Sequence, residues 1–316
     1  MSVYTELTLD EIRAFAAGHY GLTVTGCDPI ASGIENTNYF VRCEDGREFV
    51  LTLFEELNAA EAAFLPPLLQ HLQREGVPVA GPLVAKDGKS LLTLRDKPVQ
   101  LAPRIIGGHP SPVTVAHCAA IGEALAKLHL GLEAYPLHRE NTHGQEWWEA
   151  EANKARKTMG KTDQLLLETI LEDFEETVED YEDLPMGLIH GDLFRDNTLF
   201  EGEALRAILD FSEAGEDYWL LDVAITVNDF CSAWPSVKLD QDLYHAFLRA
   251  YNNVRPLTAD EQEALPAFLG MAATRFWLSR LSVAARNAAE GRTGEAVTQK
   301  DPNEMKKMVA ARMMGE

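Results

Sequence analysis

Met186-Gly-Leu-Ile-His-Gly-Asp-Leu-Phe-Arg-Asp-Asn-Thr-Leu-Phe200 is the stretch around which the rest of the chain is organised. Apolar runs flank its polar centre on both sides, and Ala207-Ile-Leu-Asp-Phe211 follows after a short turn. Short apolar runs bounded by turn residues are typical of buried strands. We therefore expect Asp192, Asn197 and Asp210 to converge where these strands end.

The order and spacing of these polar residues predict phosphoryl transfer. In kinases the Asp of H-x-D-x-x-x-x-N orients and deprotonates the attacking hydroxyl, while the Asn five residues later and a second Asp hold Mg²⁺ against the phosphates of ATP. We assign the base to Asp192 and the metal ligands to Asn197 and Asp210, since oxygen ligands suit a hard cation. Each residue taken alone is also typical of a turn or a helix cap. The shared order and the flanking strands favour the catalytic interpretation.

Three parts of the chain carry a resemblance to a known family. His190-Gly-Asp-Leu-Phe-Arg-Asp-Asn197, followed by Leu209-Asp-Phe211, resembles the aminoglycoside-phosphotransferase group of the protein-kinase-like fold, whose members also phosphorylate choline and other small alcohols. Phe49-Val-Leu-Thr-Leu-Phe-Glu55 and Arg275-Phe-Trp-Leu-Ser-Arg280 resemble the bacterial homoserine kinases built on this fold. The resemblance implies an α+β, two-lobed fold, with a small antiparallel-sheet N-terminal lobe that includes a helix and a larger, mainly helical C-terminal lobe. It also implies ATP and Mg²⁺ as cofactors.

Composition and charge restrict the partners. The chain has 316 residues, 46% of them apolar, and no apolar run long enough to span a membrane. Its N-terminus lacks the basic and apolar regions of a signal peptide, so we expect a cytoplasmic protein. A net charge of −22 repels phosphate backbones and anionic lipids, so we expect neither nucleic acid nor a membrane as a partner. The four cysteines form no C-x-x-C pair, which favours buried free thiols over disulfides or a zinc site.

The N-terminal third predicts a small antiparallel sheet with helices. Thr8-Leu-Asp-Glu11 is a capping box, which predicts a first helix that Gly21 ends. A second helix should begin after Asn58, and Pro66-Pro67 should kink or restart it. Apolar residues and turn signals predict strands at 24–31, 38–43, 48–54, 82–85, 90–94 and 99–103.

The loop after the first strand is where the resembled fold covers nucleotide phosphates with backbone N–H groups. This loop contains a single glycine, so an ordinary hairpin loop is the alternative. The resemblance further implies that the chain near residues 100–104 contacts adenine through its backbone. The predicted nucleotide contacts are Ser32, Gly33, Asn36, Thr37, Gln100 and Arg104.

The third strand departs from the resembled pattern. Many phosphotransferases of this fold carry a Lys there, which touches the ATP phosphates and pairs with a helix Glu, whereas this chain has Thr52. Arg42 and Arg47 are candidate substitutes, although charges exposed on a hairpin are the simpler interpretation. Glu61 lies where the helix Glu is expected, but without a Lys its role is reduced to capping.

Adjacent glycines in Arg104-Ile-Ile-Gly-Gly-His-Pro110 predict a boundary between two lobes. We expect an N-terminal nucleotide-binding lobe at residues 1–104 and a C-terminal catalytic and acceptor-binding lobe at 105–316. Ser111-Pro112 predicts the start of a first helix in this second lobe. Apolar stripes and caps predict further helices at 145–159, 163–181, 220–230, 240–251, 258–289 and 301–313. By resemblance, Asp222 accepts hydrogen bonds from the backbone of the catalytic loop.

Three arginines and a histidine complete the candidate site. Arg195 either neutralises charge on the transferred phosphoryl group or holds the loop in a fork-like salt bridge. A homoserine acceptor is a zwitterion, which needs a bidentate cation for its carboxylate. Arg275 and Arg280 are candidates, but their five-residue spacing on a helix points them in different directions, so only one should meet the carboxylate. Ordinary salt bridges are the alternative for both, and His190 is a further candidate for substrate contact.

The sequence favours an ATP- and Mg²⁺-dependent kinase of a small alcohol. The resemblance points to L-homoserine, which would become O-phospho-L-homoserine on the route to threonine. An aminoglycoside, choline or methylthioribose is the alternative acceptor, since the net charge of −22 also suits a polycation. A nucleotide-binding pseudokinase is a third hypothesis, motivated by the missing Lys, but the chain keeps Asp192, Asn197 and Asp210.

Overall fold

The computed structural model describes residues 5–30, 36–291 and 300–316. The backbone divides into two units: the first comprises Met1–Gly107 with Arg206–Leu209, and the second comprises Gly108–Leu205 with Asp210–Glu316. The Ile208 N–H donates to the Pro78 carbonyl at 2.7 Å, which ties the short segment to the first unit. Sequence reasoning placed the boundary after residue 104 and did not anticipate this segment.

The first unit is built on an antiparallel sheet. Its described strands lie in the order β1-β2-β3-β5-β4, with bounds Val24–Ile30 (β1), Asn36–Cys43 (β2), Glu48–Phe54 (β3), Leu92–Leu94 (β4) and Lys97–Pro103 (β5). Alternate residues of β2 and β3 are buried, because successive side chains of a strand point to opposite faces. One face therefore carries an apolar core, whereas the other carries Asn38, Thr52 and Gln100, which lie opposite one another on three neighbouring strands.

The segment 82–85 is not a strand, so this prediction was wrong. Among the described residues it gives β5 one backbone hydrogen bond, from Leu83 N–H to Leu101 O at 2.8 Å, while Ala85 N–H donates to Lys89 O at 2.7 Å. Pro82 has no N–H to donate, which prevents a continuous ladder. The other predicted strands are present, with described ends within two residues of the prediction.

Helix α1 (Leu9–Tyr20) packs on the apolar face of the sheet. It begins with the predicted capping box, in which the Thr8 hydroxyl accepts from Glu11 N–H and the Glu11 carboxylate accepts from Thr8 N–H at 2.8 Å. It ends at Gly21, whose φ of 71° lies in the left-handed region that favours glycine. The residues it buries against the sheet are Ile12, Phe15 and Ala16.

The second helical region of this unit is split as predicted. Helix α2 (Ala59–Ala62) is capped by Asn58, and the Glu61 carboxylate accepts from Asn58 N–H at 2.8 Å, which is the capping role expected for Glu61. Helix α3 (Leu65–Arg74) starts again at the two prolines. Proline fits the first turn of a helix, because the N–H groups there have no partner within the helix.

The second unit is mainly helical. Its described helices are α4 (Val115–Leu132), α5 (Gln145–Ala155), α6 (Lys161–Asp180), α7 (Trp219–Phe230), α8 (Gln241–Val254), α9 (Ala259–Ala289) and α10 (Pro302–Met313). The long helix α9 packs against α5, α6, α7 and α10, and α4 packs against α8. No helix in the described ranges combines the length and apolar character that crossing a membrane requires.

Helix α4 begins later than predicted. Its N-cap is Thr114 and not Ser111. The Thr114 hydroxyl accepts from His117 N–H at 3.4 Å, and His117 Nδ1 accepts from Thr114 N–H at 3.1 Å. This reciprocal capping satisfies two backbone N–H groups, whereas Pro112 only presets one dihedral angle.

Short strands deliver the polar residues of the central motif. Strand β6 (Met186–Ile189) pairs antiparallel with β9 (Gly215–Tyr218) and ends directly before His190. The remaining strands of the described chain are β7 (Thr198–Glu201), β8 (Ala204–Ile208), β10 (Ser232–Ala233) and β11 (Lys238–Leu239). Since β7 starts directly after Asn197, the loop between β6 and β7 contains both Asp192 and Asn197.

Candidate active site

Asp222, in the first turn of α7, holds the backbone of the loop that carries Asp192. Its buried carboxylate accepts hydrogen bonds from the N–H groups of His190 (2.8 Å) and Gly191 (3.0 Å), and His129 Nε2 lies 3.1 Å away. Burial by itself raises the pKa of a carboxyl group, but the contacts with His129 and His190 outweigh it and lower the pKa of Asp222. Asp222 therefore stays charged and fixes the loop, in the supporting geometry that the resemblance implied.

Asp192 and Asn197 are in direct contact. The Asn197 Nδ2 amide donates to Asp192 Oδ2 at 2.9 Å and to the Asp192 carbonyl at 2.8 Å. Burial raises the pKa of Asp192 well above its usual value, the positive charge of Arg275 opposes this shift, and the negative charge of Asp210 adds to it. The predicted base and the predicted amide ligand therefore form one hydrogen-bonded pair.

Asp210 contributes to the charge around Asp192 and offers oxygen atoms to a cation. Its φ of 56° is left-handed, a conformation that Asp tolerates better than most residues. Its Oδ1 accepts from Ser212 N–H (3.2 Å) and from the Ser212 hydroxyl (2.6 Å). Among the described residues, neither Asp210 Oδ2 nor Asn197 Oδ1 accepts a hydrogen bond. These two oxygens suit Mg²⁺, which takes few protein ligands and completes its shell with phosphate oxygens and water.

Two protein oxygens fill only part of the coordination shell of Mg²⁺. The described part of the chain contains no cluster of three or more His, Cys, Asp or Glu side chains that could hold a metal ion. A cation at Asn197 and Asp210 would complete its coordination shell with phosphate oxygens and water.

Arg195 is engaged by Asp229, near the end of α7. The Arg195 Nε and one terminal nitrogen contact the two Asp229 carboxylate oxygens at 3.1 and 3.2 Å, and the Arg195 N–H donates to Asp229 Oδ2 at 2.7 Å. This is the fork-like salt bridge that the sequence left as the alternative to a catalytic role. The geometry favours a loop-holding Arg195, and contact with the phosphoryl group stays a prediction.

His190 lies in the interior of the second unit. Its side chain is fully buried, its ring packs 4.5 Å from the ring of Phe211, and its Nδ1 accepts from Asp192 N–H at 3.2 Å. These contacts orient the Asp192 loop. They leave the predicted contact of His190 with the acceptor without structural support.

The two arginines of α9 face different neighbours, as their spacing implied. Arg275 is buried, donates to the Gly191 carbonyl through one terminal nitrogen, and reaches Glu213 Oε2 with the other at 3.2 Å. Arg280 donates to the Glu304 carboxylate at 2.9 Å and to the Asp301 carbonyl at 2.8 Å. Of the two, Arg275 is the one beside Asp192.

Sequence reasoning missed a chain of polar contacts that leads to Glu213. Asn141 Nδ2 donates to Asp217 Oδ2 at 2.6 Å, and Asn141 Oδ1 accepts from His143 N–H at 2.9 Å. His143 Nδ1 lies 2.5 Å from Glu213 Oε2, the oxygen that Arg275 also contacts. These residues come from separate parts of the chain without a shared spacing, so no sequence pattern marks them.

The predicted nucleotide contacts of the first unit have different surroundings. Ser32 and Gly33 lie outside the described residues. Thr37 is buried, and its hydroxyl donates to Glu55 Oε1 at 2.5 Å. Asn36 is half-buried, and Gln100 is 9% exposed with an Oε1 atom that has no hydrogen-bond partner among the described residues.

Arg104, the remaining predicted contact, lies on the polar side of the sheet. Its guanidinium stacks 3.9 Å from the centre of the Phe40 ring and donates to Glu48 Oε2 at 3.0 Å. The suggested substitutes for the missing strand Lys are paired instead with acidic neighbours, Arg42 with Asp28 and Arg47 with Asp45. These pairs agree with the simpler interpretation, in which both arginines are ordinary charges on a hairpin.

At the position of the missing Lys, neutral groups form a row. The Thr52 hydroxyl donates to Asn38 Oδ1 at 2.8 Å, and Gln100 lies opposite Thr52 on β5. We refer to Asn38, Thr52 and Gln100 as the neutral row. The first unit therefore offers amide and hydroxyl groups where related folds offer an ammonium.

Comparison with known proteins finds relatives that match most of this chain. The phosphotransferase enzyme family matches residues 26–260. A homoserine kinase of Methylobacillus flagellatus is 39% identical over 302 residues, which cover 96% of this chain and 92% of that protein. A homoserine kinase of Neisseria meningitidis serogroup B is 35% identical over 309 residues, which cover 98% and 99%.

Solved structures share the fold. The amicoumacin kinase hAmiN, in complex with AMP-PNP, Ca²⁺ and Ami, has a TM-score of 0.68 at 16% identity and covers 97% of this chain and 92% of its own. A microcompartment-associated aminopropanol kinase has a TM-score of 0.68 at 17% identity and covers 96% and 94%. These likenesses confirm the predicted α+β, protein-kinase-like fold class.

Proposed function

Since the chain belongs to the phosphotransferase enzyme family, we propose that it transfers the γ-phosphoryl group of ATP to the hydroxyl of L-homoserine, giving O-phospho-L-homoserine and ADP. Relatives named homoserine kinase match almost the whole chain, which supports this acceptor. The observation that carries the proposal is the hydrogen-bonded pair of Asp192 and Asn197 beside Asp210, on a loop that Asp222 fixes.

Asp192 acts as the base. The acceptor oxygen forms a bond to the γ-phosphorus, the bond from that phosphorus to the β,γ-bridging oxygen breaks, and the hydroxyl proton passes to the Asp192 carboxylate. Asn197 holds Asp192 Oδ2, and among the described residues Oδ1 has no hydrogen-bond partner, so Oδ1 remains for the hydroxyl. The raised pKa of Asp192 makes its carboxylate a better proton acceptor than an ordinary Asp.

Asn197 and Asp210 would hold Mg²⁺ through Asn197 Oδ1 and Asp210 Oδ2. When bound, the ion neutralises charge on the phosphate oxygens. Asn197 then has two tasks, because its amide nitrogen orients the base while its oxygen faces the cation. A single substitution of Asn197 would therefore disturb both.

The first unit binds the nucleotide in this proposal. We propose that Ser32, Gly33 and Asn36 contact the phosphates of ATP. The Thr37 hydroxyl donates to Glu55, so the contact that we propose for Thr37 is through its backbone. Gln100 Oε1 is buried and has no hydrogen-bond partner among the residues that the structure describes, and burying such an atom costs free energy. A hydrogen-bond donor of the nucleotide, such as the adenine amine, would satisfy it. We propose that Arg104, which directly follows β5, contacts the nucleotide as well.

The charges around Asp192 suit a zwitterion. Arg275 is positive and buried, Glu213 is negative, and both belong to the second unit with Asp192. A site for a polycation such as an aminoglycoside needs only negatively charged side chains, whereas a site for an amino acid needs a positive and a negative side chain. We propose Arg275 as the source of positive charge for the homoserine carboxylate, and not Arg280, which pairs with Glu304.

The identity of the product tests the proposal. Phosphorus NMR of the protein with Mg²⁺, ATP and L-homoserine should show a phosphate monoester on the homoserine hydroxyl, in an amount equal to the ADP formed. A parallel reaction without homoserine measures hydrolysis by water. ADP formation that does not depend on homoserine, or none at all, would refute the proposed acceptor.

A further inference from the structure

Glu213 approaches the catalytic loop closely. Gly191, the residue before Asp192, has a φ of 77°, and a Cβ atom added to it would lie 2.9 Å from the Glu213 carbonyl oxygen and 3.6 Å from Glu213 Cβ. Only glycine fits there without a shift, because real Cβ atoms do not come so close to backbone oxygen. The Glu213 backbone therefore lies directly against the loop that positions Asp192.

The Glu213 carboxylate is fixed from two sides. On one side Arg275, itself 4% exposed, contacts Oε2 at 3.2 Å and also donates to the Gly191 carbonyl. On the other side His143 Nδ1 lies 2.5 Å from the same oxygen, and the His143 backbone is held by Asn141. Asn141 is in turn held by Asp217 at 2.6 Å. A long side chain restrained in this way has already lost the rotamer freedom that ligand binding would otherwise cost.

The second oxygen of Glu213, Oε1, is not used by the described contacts of this side chain. Both contacts fall on Oε2, and among the described residues Oε1 accepts no hydrogen bond. A carboxylate has about four lone-pair positions, so Oε1 can still accept hydrogen bonds. The side chain is 22% exposed, which gives solutes access. Burial raises the pKa of Glu213, but the contacts with His143 and Arg275 outweigh it and lower the pKa, so the carboxylate is charged at neutral pH.

We propose that Glu213 Oε1 binds the ammonium group of the amino-acid acceptor and thereby selects an alcohol that carries an ammonium group. This inference rests on the proposed function. An ammonium group brings three donors and a positive charge, which a restrained carboxylate oxygen pairs with strongly. The same contact holds the acceptor beside Gly191 and Asp192, so it sets the position of the hydroxyl as well as the affinity.

The test pairs a variant with a changed acceptor. Glu213→Gln keeps the shape of the side chain and removes its charge, and 4-hydroxybutanoate is homoserine without its ammonium. In the wild type, kcat/KM should be about 10- to 100-fold higher for homoserine than for 4-hydroxybutanoate, the usual effect of a hydrogen bond to a charged group. In Glu213→Gln this preference should fall to about threefold or less, with KM for ATP unchanged.

A second acceptor gives an independent check. The alcohol 3-amino-1-propanol keeps the ammonium and lacks the carboxylate, so Glu213→Gln should lower its kcat/KM by about the same factor as for homoserine. The matched control is Glu216→Gln, which removes a charge three residues away on a side chain that pairs with His138 at 2.5 Å. This control should leave the preference among the three acceptors unchanged.

The outcomes separate recognition from support of the loop. If Glu213 only supports the Arg275 contact, Glu213→Gln lowers kcat/KM for homoserine and for 4-hydroxybutanoate by the same factor and the preference between them survives, which overturns the proposal. A wild type that does not distinguish homoserine from 4-hydroxybutanoate overturns it without any variant. A wild type that phosphorylates no homoserine refutes the proposed function itself.

Discussion

In the sheet of the first unit, the polar face presents the neutral row, in which the Thr52 hydroxyl donates to Asn38 Oδ1 at 2.8 Å. In the second unit, Asp192 and Glu213 lie near the buried guanidinium of Arg275, and burial shifts the pKa of Asp192 upward. Charged side chains of the first unit form salt bridges with one another, as Lys97 and Glu55 do at 2.7 Å. The neutral row and the surroundings of Asp192 therefore differ in charge.

This difference explains why a missing strand Lys need not mean a missing activity. Proton transfer requires a titratable group at a defined place, and a buried charge is kept only where partners offset its desolvation. Nucleotide binding can instead use hydrogen bonds from neutral groups together with Mg²⁺, which supplies positive charge to the phosphates. Substitutions in the two units should consequently differ in the size of their effects and in the kinetic constant that they change.

The largest effect is expected at Asp192. Asp192→Asn removes the base and keeps the shape, so kcat should fall by roughly 10²–10⁴ while nucleotide binding persists. The matched control is Asp196→Asn, in the same loop but exposed and paired with Lys300 at 3.3 Å, which should stay within about twofold of the wild type. Steady-state kinetics measure kcat for both variants. A near-normal kcat for Asp192→Asn would show that the base lies elsewhere.

A smaller effect, on a different constant, is expected at Asp210. Asp210→Asn weakens the oxygen ligand that the metal needs, so affinity for Mg²⁺-ATP in a calorimetric titration should fall by at least about tenfold. The same titration without Mg²⁺ should give equal affinities for variant and wild type. Unchanged affinity for Mg²⁺-ATP would remove Asp210 from the metal site.

At Arg195 the expected effect is on stability. Lysine cannot reproduce the fork that contacts both oxygens of Asp229, so Arg195→Lys should lower the free energy of unfolding by about 1–3 kcal/mol, with activity falling in step. Asp229→Asn should behave alike, because it breaks the same bridge. A large loss of kcat in Arg195→Lys with an unchanged melting temperature would instead support contact with the phosphoryl group.

The smallest effect is expected in the neutral row. Thr52→Val removes one hydroxyl at nearly constant volume, so KM for ATP should rise about two- to tenfold, the range of one neutral hydrogen bond. KM for homoserine should stay the same, since Thr52 belongs to the first unit. An unchanged KM for ATP would exclude the row from nucleotide binding and weaken the comparison between the units.

Features fixed by local chemistry were predictable from the sequence. The capping boxes of Thr8 and Thr258 and the cap at Asp301 are present where the spacing indicated, because cap and partner lie within one turn. The contact between Asp192 and Asn197 is local as well, and it forms within five residues.

Features fixed by tertiary contacts were not predictable in the same way. The sequence left two roles open for Arg195, and its fork-like pairing with Asp229 depends on the position of α7. Glu213 and His143 meet across 70 residues of chain. Thr37 is a different case, because the alternation with buried Tyr39 places its side chain on the apolar face, and that signal was present in the sequence.

The central claim is that this protein phosphorylates L-homoserine and not another small alcohol. The most direct measurement is a competition, in which one reaction with Mg²⁺ and ATP contains L-homoserine, choline, an aminoglycoside and methylthioribose at equal concentration, and mass spectrometry identifies the phosphorylated product. We predict O-phospho-L-homoserine as the dominant product, formed by the wild type and lost in Asp192→Asn. Preferential phosphorylation of any other alcohol in the mixture would contradict the account.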